Sequence, residues 1–202
     1  KVVQEFNDLR DDNSEEMSEF DQLQGPSGLL TFYGNSKEGT GPRMLYELGY
    51  HYFQDRNSTY DDLVTNEREV ILNMHNFSVG VGGMFIQSQN FDWGLGLGLE
   101  GAVVDTKLGS LDQDPESLKR QFLVGLNAFA PIYIGFGANG PLALSVRPFY
   151  QFRFNQADYN PLRSALAPPN TEVLPSDDFK SSPHAFGIEF HFFIILKKTL
   201  YQ

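Results

Sequence analysis

From Phe91 to Glu100 every odd position carries a large apolar side chain (Phe91, Trp93, Leu95, Leu97, Leu99) and every even one a glycine or a carboxylate (Asp92, Gly94, Gly96, Gly98, Glu100). Period 2 without an error specifies a β-strand whose faces differ sharply. A half-buried strand of a soluble protein normally sets bulky polar residues on its wet face. Here that face is three glycines between two acids. Small residues opposite an aromatic and aliphatic stripe suit a narrow barrel turned inside out, with the stripe toward lipid.

The alternation recurs. In 43–55 the stripe is Met44, Tyr46, Leu48, Tyr50 and Tyr52, opposed by Glu47, Gly49 and His51. In 121–137 it runs Phe122, Val124, Leu126, Ala128, Ala130, Ile132, Ile134 and Phe136, across Pro131, against Gln121, Gly125, Asn127, Tyr133 and Gly135. In 142–155 Leu142, Leu144, Val146, Tyr150, Phe152 and Phe154 oppose Ser145, Arg147, Gln151, Arg153 and Asn155. The last strand opposes Phe186, Ile188, Phe190, Phe192, Ile194 and Leu196 to Gly187, Glu189 and His191. Residues 70–87 follow the rule through Phe77, Val79 and Val81, and Gly82-Gly83 then blurs the phase as a bulge would. Residues 28–35 form a shorter strand of undetermined register.

Connections alternate in length. Tight turns are expected at 37–42, 88–90 and 137–141, and long polar loops at 56–69, 106–118 and 156–183, the last rich in proline. Short turns at one end and long loops at the other are the build of outer-membrane barrels. The acidic stretch 7–26 then takes the place of the first external loop, and Lys1 to Phe6 supplies the strand that rises before it. Six residues are fewer than the roughly 9–11 that cross a bilayer, so the first strand is expected to be incomplete or to lack an internal stretch. With it counted there are eight strands, and both termini are periplasmic.

The 202 residues are expected to form one domain. No apolar run approaches the length of a membrane helix, which leaves barrels open because a barrel strand gives lipid only alternate residues. The net charge of −11 is concentrated in residues 1–24, where eight acids face only Lys1 and Arg10. Such a run reads as a solvated loop, and an acidic chain without a basic stripe argues against nucleic acid. There is no cysteine, hence no disulfide or thiolate metal site.

In its alternation, its Gly-rich strands and the aromatic last strand from Phe186 to Leu196, the sequence resembles the small eight-stranded outer-membrane barrels of the OmpA/OmpX type, in particular the "outer membrane protein beta-barrel domain" family of Bacteroidota. It departs from them in the tail Lys197-Lys198-Thr199-Leu200-Tyr201-Gln202, which replaces a terminal Phe. The resemblance implies an all-β, antiparallel, up-and-down transmembrane barrel in the outer membrane of a Gram-negative cell. It also implies contact with outer-membrane lipid, lipopolysaccharide and other outer-membrane proteins, as in an accessory subunit of a complex, and no particular activity.

The interior of such a barrel would hold Glu47, His51, Asp92, Glu100, Arg147, Gln151, Arg153, Glu189 and His191. Unpaired charges are expensive in a water-poor lumen, so acids and arginines there are expected to pair. A salt-bridged plug is favoured over a proton path or a gated pore, because eight strands leave a bore that side chains fill. Other chemistry finds little support. His75 and Ser78 resemble the pair of an outer-membrane lipid hydrolase, yet a spacing of three puts them on opposite faces. His184 reads as a solvated loop residue. The four histidines lack metal-ligand spacing. Gly94, Gly96 and Gly98 alternate within a strand instead of opening a helix, which argues against a phosphate loop. Lys119-Arg120 is expected at an external strand end, where meeting lipid phosphates and serving as an ordinary interfacial anchor explain it equally well. The expectation is a non-enzymatic scaffold without cofactor or metal, acting through its external loops. A soluble lipocalin-like carrier of an apolar ligand and a lipid-modifying barrel enzyme are the alternatives.

Overall fold

The computed structural model describes residues 24–34, 43–61, 66–88, 91–110, 113–135, 142–166, 174–182 and 184–194. The expected first strand Lys1–Phe6, nearly all of the acidic stretch, most of the three tight turns and the tail lie outside these residues.

The protein is mostly antiparallel β-sheet. Its strands are β1 Ser27–Gly34, β2 Arg43–Asp61, β3 Asn66–Gln87, β4 Phe91–Ser110, β5 Gln113–Phe129, β6 Ile132–Gly135, β7 Leu142–Arg153, β8 Ala157–Asp158, β9 Lys180–Ser181 and β10 Ala185–Ile194. The main sheet follows the order β1-β2-β3-β4-β5-β7-β10, and β6 continues the line of β5 between β4 and β7. Every step is antiparallel. Six such steps separate β1 from β10, so the two edge strands run in the same direction. Among the described residues no ladder joins them.

The break at Ala130-Pro131 has a simple cause, since proline has no N–H to give the ladder. The stripe nonetheless keeps its phase, with Phe129 and Tyr133 buried on one side and Ala128 and Ile134 exposed on the other. The bulge expected at Gly82-Gly83 lies further along: the ladder keeps its register through Met84 and shifts between Met84 and Ile86, placing Phe85 and Ile86 both on the exposed face. β1 takes the register that sequence left undetermined, with Leu30 opposite Leu48 and Phe32 opposite Tyr46.

Two expected loops are instead largely strand. β2 and β3 run on to Asp61 and from Asn66, and β4 and β5 to Ser110 and from Gln113. Above the apolar rows both sheet faces carry polar residues, so the alternation that marks a strand disappears although the ladder continues. The 156–183 segment likewise contains structure: β8, β9, a helix α1 Asn160–Leu166 and a 3-10 turn Asp177–Phe179. Leu162 and Leu166 of α1 bury against Val70, Leu108 and Leu118 on the long strands. Ala157 packs with Met74, Ala102, Val104 and Leu123. The segment is thus a cap seated on the inner side of the sheet.

Candidate functional site: a buried polar layer and an exposed apolar face

The inner face reads in layers. Along β2 it runs Leu45, Glu47, Gly49, His51, Phe53, and along β5 Phe129, Asn127, Gly125, Leu123. At the turn end Leu45, Met84, Phe129 and Tyr133 form an apolar layer with Phe149 and Phe193. At the other end Met74, Ala102, Val104 and Leu123 form a second one with Phe53 and Leu72. Between them lies the polar layer.

Arg147, 1 % exposed, centres one half of that layer. Its Nη1 donates to Glu189 Oε2 at 2.6 Å and its Nη2 to Glu47 Oε2 at 3.1 Å. Tyr133 donates its hydroxyl to Glu47 Oε1 at 3.3 Å, and His51 Nδ1 lies 2.8 Å from Glu189 Oε1. His191 Nε2 meets Ser27 Oγ at 3.0 Å and stands 3.9 Å from Glu189 Oε2. Arg153 centres the other half, donating from Nη2 to Glu100 Oε1 at 2.7 Å, Gln151 Oε1 at 3.2 Å and Asn76 Oδ1 at 3.3 Å. Glu47 is on β2 and Glu189 on β10, far apart in ladder order, so their meeting on one guanidinium means that the sheet curls until its ends approach.

Eight of the nine expected residues are therefore buried in this layer. Asp92 is not. It sits at the turn end, where its Oδ1 accepts from Ser88 N at 3.3 Å, outside the arginine clusters. Asn76 and Ser27 belong to the layer, and Tyr133 and Phe129 meet it from the apolar layer at the turn end, without having been singled out. Alternation placed Asn76 and Tyr133 on the inner face and so gave a signal for both. It gave one for Phe129 too, since a stripe through Ala128 and Ala130 leaves position 129 facing inward. Its ring lies over two glycines: a Cβ on Gly96 would come within 2.3 Å of it and one on Gly80 within 2.9 Å. The Arg147 guanidinium stacks 4.2 Å from the Phe129 ring centroid. The strand glycines thus make room for a packed ring.

Three buried carboxylates, Glu47, Glu100 and Glu189, face two buried arginines. The Ser27 hydroxyl does lie against an imidazole, 3.0 Å from His191 Nε2, but Glu189 approaches that same nitrogen and does not orient the ring from Nδ1. Among the described residues no group of three or more His, Cys, Asp or Glu side chains is placed to hold a metal. His75 lies on the outer face against the Tyr50 hydroxyl at 2.9 Å, while Ser78 is buried on the inner one. His184 is exposed and stacks on Phe152, and its Nδ1 accepts from Arg153 N at 3.1 Å.

The outer face inverts the usual arrangement. Leu97, Leu99, Val79, Phe122, Ile188, Phe190 and Phe192 are all exposed, Phe192 to 83 %. Ladder partners sort this face into rows across β2, β3, β4 and β5: Leu48, Val79, Leu99, Leu126, then Tyr50, Phe77, Gly101, Val124, then Tyr52, His75, Val103, Phe122. Beyond them Gln54, Asn73, Asp105 and Arg120 make a polar row. From Trp93 to Val103 the outward-facing row of β4 spans eleven residues, ten rises of about 3.3 Å or about 33 Å along the strand.

The cap is latched by polar contacts. Lys119 Nζ lies 2.5 Å from Asp158 Oδ2, so of the Lys119-Arg120 pair the lysine serves the cap and the arginine faces out. Asn160 donates to Asp158 Oδ1 and Ser176 O, and Gln121 exchanges hydrogen bonds with the Asp158 backbone. The Lys119 hydrogen bond, ahead of those from Asn160, holds the Asp158 carboxyl down at about 2. No family model, curated protein or solved structure matches the chain.

Proposed function

We propose that this chain is a non-enzymatic, eight-stranded up-and-down barrel of the bacterial outer membrane, and that it serves as a membrane-embedded scaffold or accessory subunit contacting other outer-membrane proteins through its external side. One observation carries the reading: charged residues fill the buried face while aromatic and aliphatic residues cover the exposed one. In water that exposed face would be a large liability, whereas against lipid tails it is the expected surface. Parity supports an eighth strand, since β1 and β10 run in the same direction and all-antiparallel closure needs one more strand between them.

The layered interior favours a plug over a pore, because among the described residues apolar layers stand above and below the arginine clusters. A lipocalin-like carrier would bury Leu97 and expose Arg147, the reverse of what is found. A lipid hydrolase would need a base and a nucleophile on one face, and His75 and Ser78 do not share one.

The test is solution behaviour. The protein is expected to require detergent and to change its electrophoretic mobility on boiling. A compact monomer in plain buffer, binding no detergent, would refute the membrane assignment. If the assignment holds, trimming the cap and the acidic segment is expected to leave the barrel folded and to weaken its association with a co-purifying outer-membrane protein. Unchanged association would count against the scaffold role.

A further inference from the structure

Three cations stand where the apolar rows end. Arg56, Ile71, Lys107 and Ser117 are ladder partners across β2, β3, β4 and β5, one row beyond Gln54, Asn73, Asp105 and Arg120. Arg56 and Lys107 are two strands apart, about 10 Å, which their side chains can bridge toward one point. Each cation is anchored by a carboxylate at one side and open at the other. Arg56 Nε meets Glu69 at 3.0 Å with 59 % of its side chain exposed. Arg120 Nη2 meets Asp105 Oδ2 at 3.2 Å with 69 % exposed, and Lys107 Nζ is 4.0 Å from the same oxygen. Asp105, itself buried, also accepts from Ser117 and so is held in place. Ile71 is buried between Arg56 and Lys107, its ladder partners on either side, which gives the cluster an apolar floor.

We propose that this patch of the outer wall, formed by Arg56, Lys107 and Arg120, binds the phosphate of an anionic lipid headgroup. The inference rests on the membrane reading above and adds a ligand to it. A lipid is favoured over free phosphate because the row of Tyr52, His75, Val103 and Phe122 begins the acyl-chain surface two rows from Lys107. In a chain of net charge −11 a cationic cluster at that level is a local exception. Basic groups at the membrane surface gain roughly a few-fold to tenfold in anionic-lipid affinity each, and Asp105 and Glu69 offset part of that here.

The full chain in neutral maltoside micelles is tested with lipid A, phosphatidylglycerol, phosphatidylcholine and inorganic phosphate, reading retained lipid by native mass spectrometry. Lipid A and phosphatidylglycerol are expected to be retained over phosphatidylcholine, and the Arg56→Gln, Lys107→Gln, Arg120→Gln triple variant to lose about tenfold of that retention. Lys180→Gln, a cap cation, is expected to change nothing. Should the triple variant not fold, Arg120→Gln alone, at an exposed tip, is expected to show a two- to fivefold loss. Equal retention by wild type and variant, or competition by inorganic phosphate at the same concentration as the lipid, would overturn the proposal. A protein that takes up detergent yet shows no phosphate preference defeats this inference alone, whereas one that never enters micelles defeats the membrane reading.

Discussion

Arg147 makes the network vulnerable to a single substitution, because one guanidinium holds two carboxylates from distant strands. Replacing a buried pair by apolar groups is often neutral, but removing one partner leaves a stranded charge at a cost of about 3–5 kcal/mol. Arg147→Ala is therefore expected to lower the unfolding temperature in detergent markedly, and Glu47→Gln added to it to recover part of the loss. The glycine beneath Phe129 is a second such point. Gly96→Ala drives a methyl into a ring that also supports Arg147, an overpacking worth about 1–3 kcal/mol. Trimming the ring, as in Phe129→Leu, is expected to relieve it, with urea midpoints of the single and double variants as the measure. Alternation alone identified Glu47, Glu100, Arg147 and Arg153 as inward groups. It did not reveal which acid meets which arginine, since that depends on how far the sheet curls.

Strands proved legible where one face is apolar and illegible where neither is. Residues 91–103 show their period at a glance, while 56–61 and 106–110 carry polar groups on both faces and read as loop. The cap escaped notice for another reason: α1 is 7 residues long, too short for a helical period to emerge, and its burial comes from docking on β3, β4 and β5. That docking has a pH signature. Asp158 is held at about 2 against an unfolded value near 3.9, so its contribution to the cap is fully present above roughly pH 4 and disappears as the pH falls toward about 2. Amide exchange in residues 157–166 is expected to be unchanged from neutral pH down to about 4 and to quicken, relative to the intrinsic rate, below it. Asp158→Asn is expected to show quick exchange throughout, and an identical pH profile in wild type and variant would remove Asp158 from the latch.

For the whole molecule, the stacked interior and the inverted surface make separate claims. A polar layer closed by apolar ones on both sides is expected to pass no steady current, so planar-bilayer recordings of the wild type should stay at baseline. A large ion-selective conductance would mean that the arginine clusters line a pore. The outer belt is tested by charge: Leu97→Arg is expected to cost about 2–4 kcal/mol if the residue lies near the bilayer midplane and far less near either rim. An effect below a few tenths would take β4 out of the hydrocarbon. The seam carries a consequence of a different kind. The Ser27–His191 contact joins residues 164 apart in the chain, so closing it demands the loop entropy of nearly the whole molecule before it returns any energy. Contacts that distant are the slow ones to form. Under the barrel reading, closure is expected late in assembly, and until then β1 and β10 offer bare edges to any other chain. Refolding yield is then expected to fall with protein concentration, dilute protein closing on itself and crowded protein pairing edge to edge into oligomers.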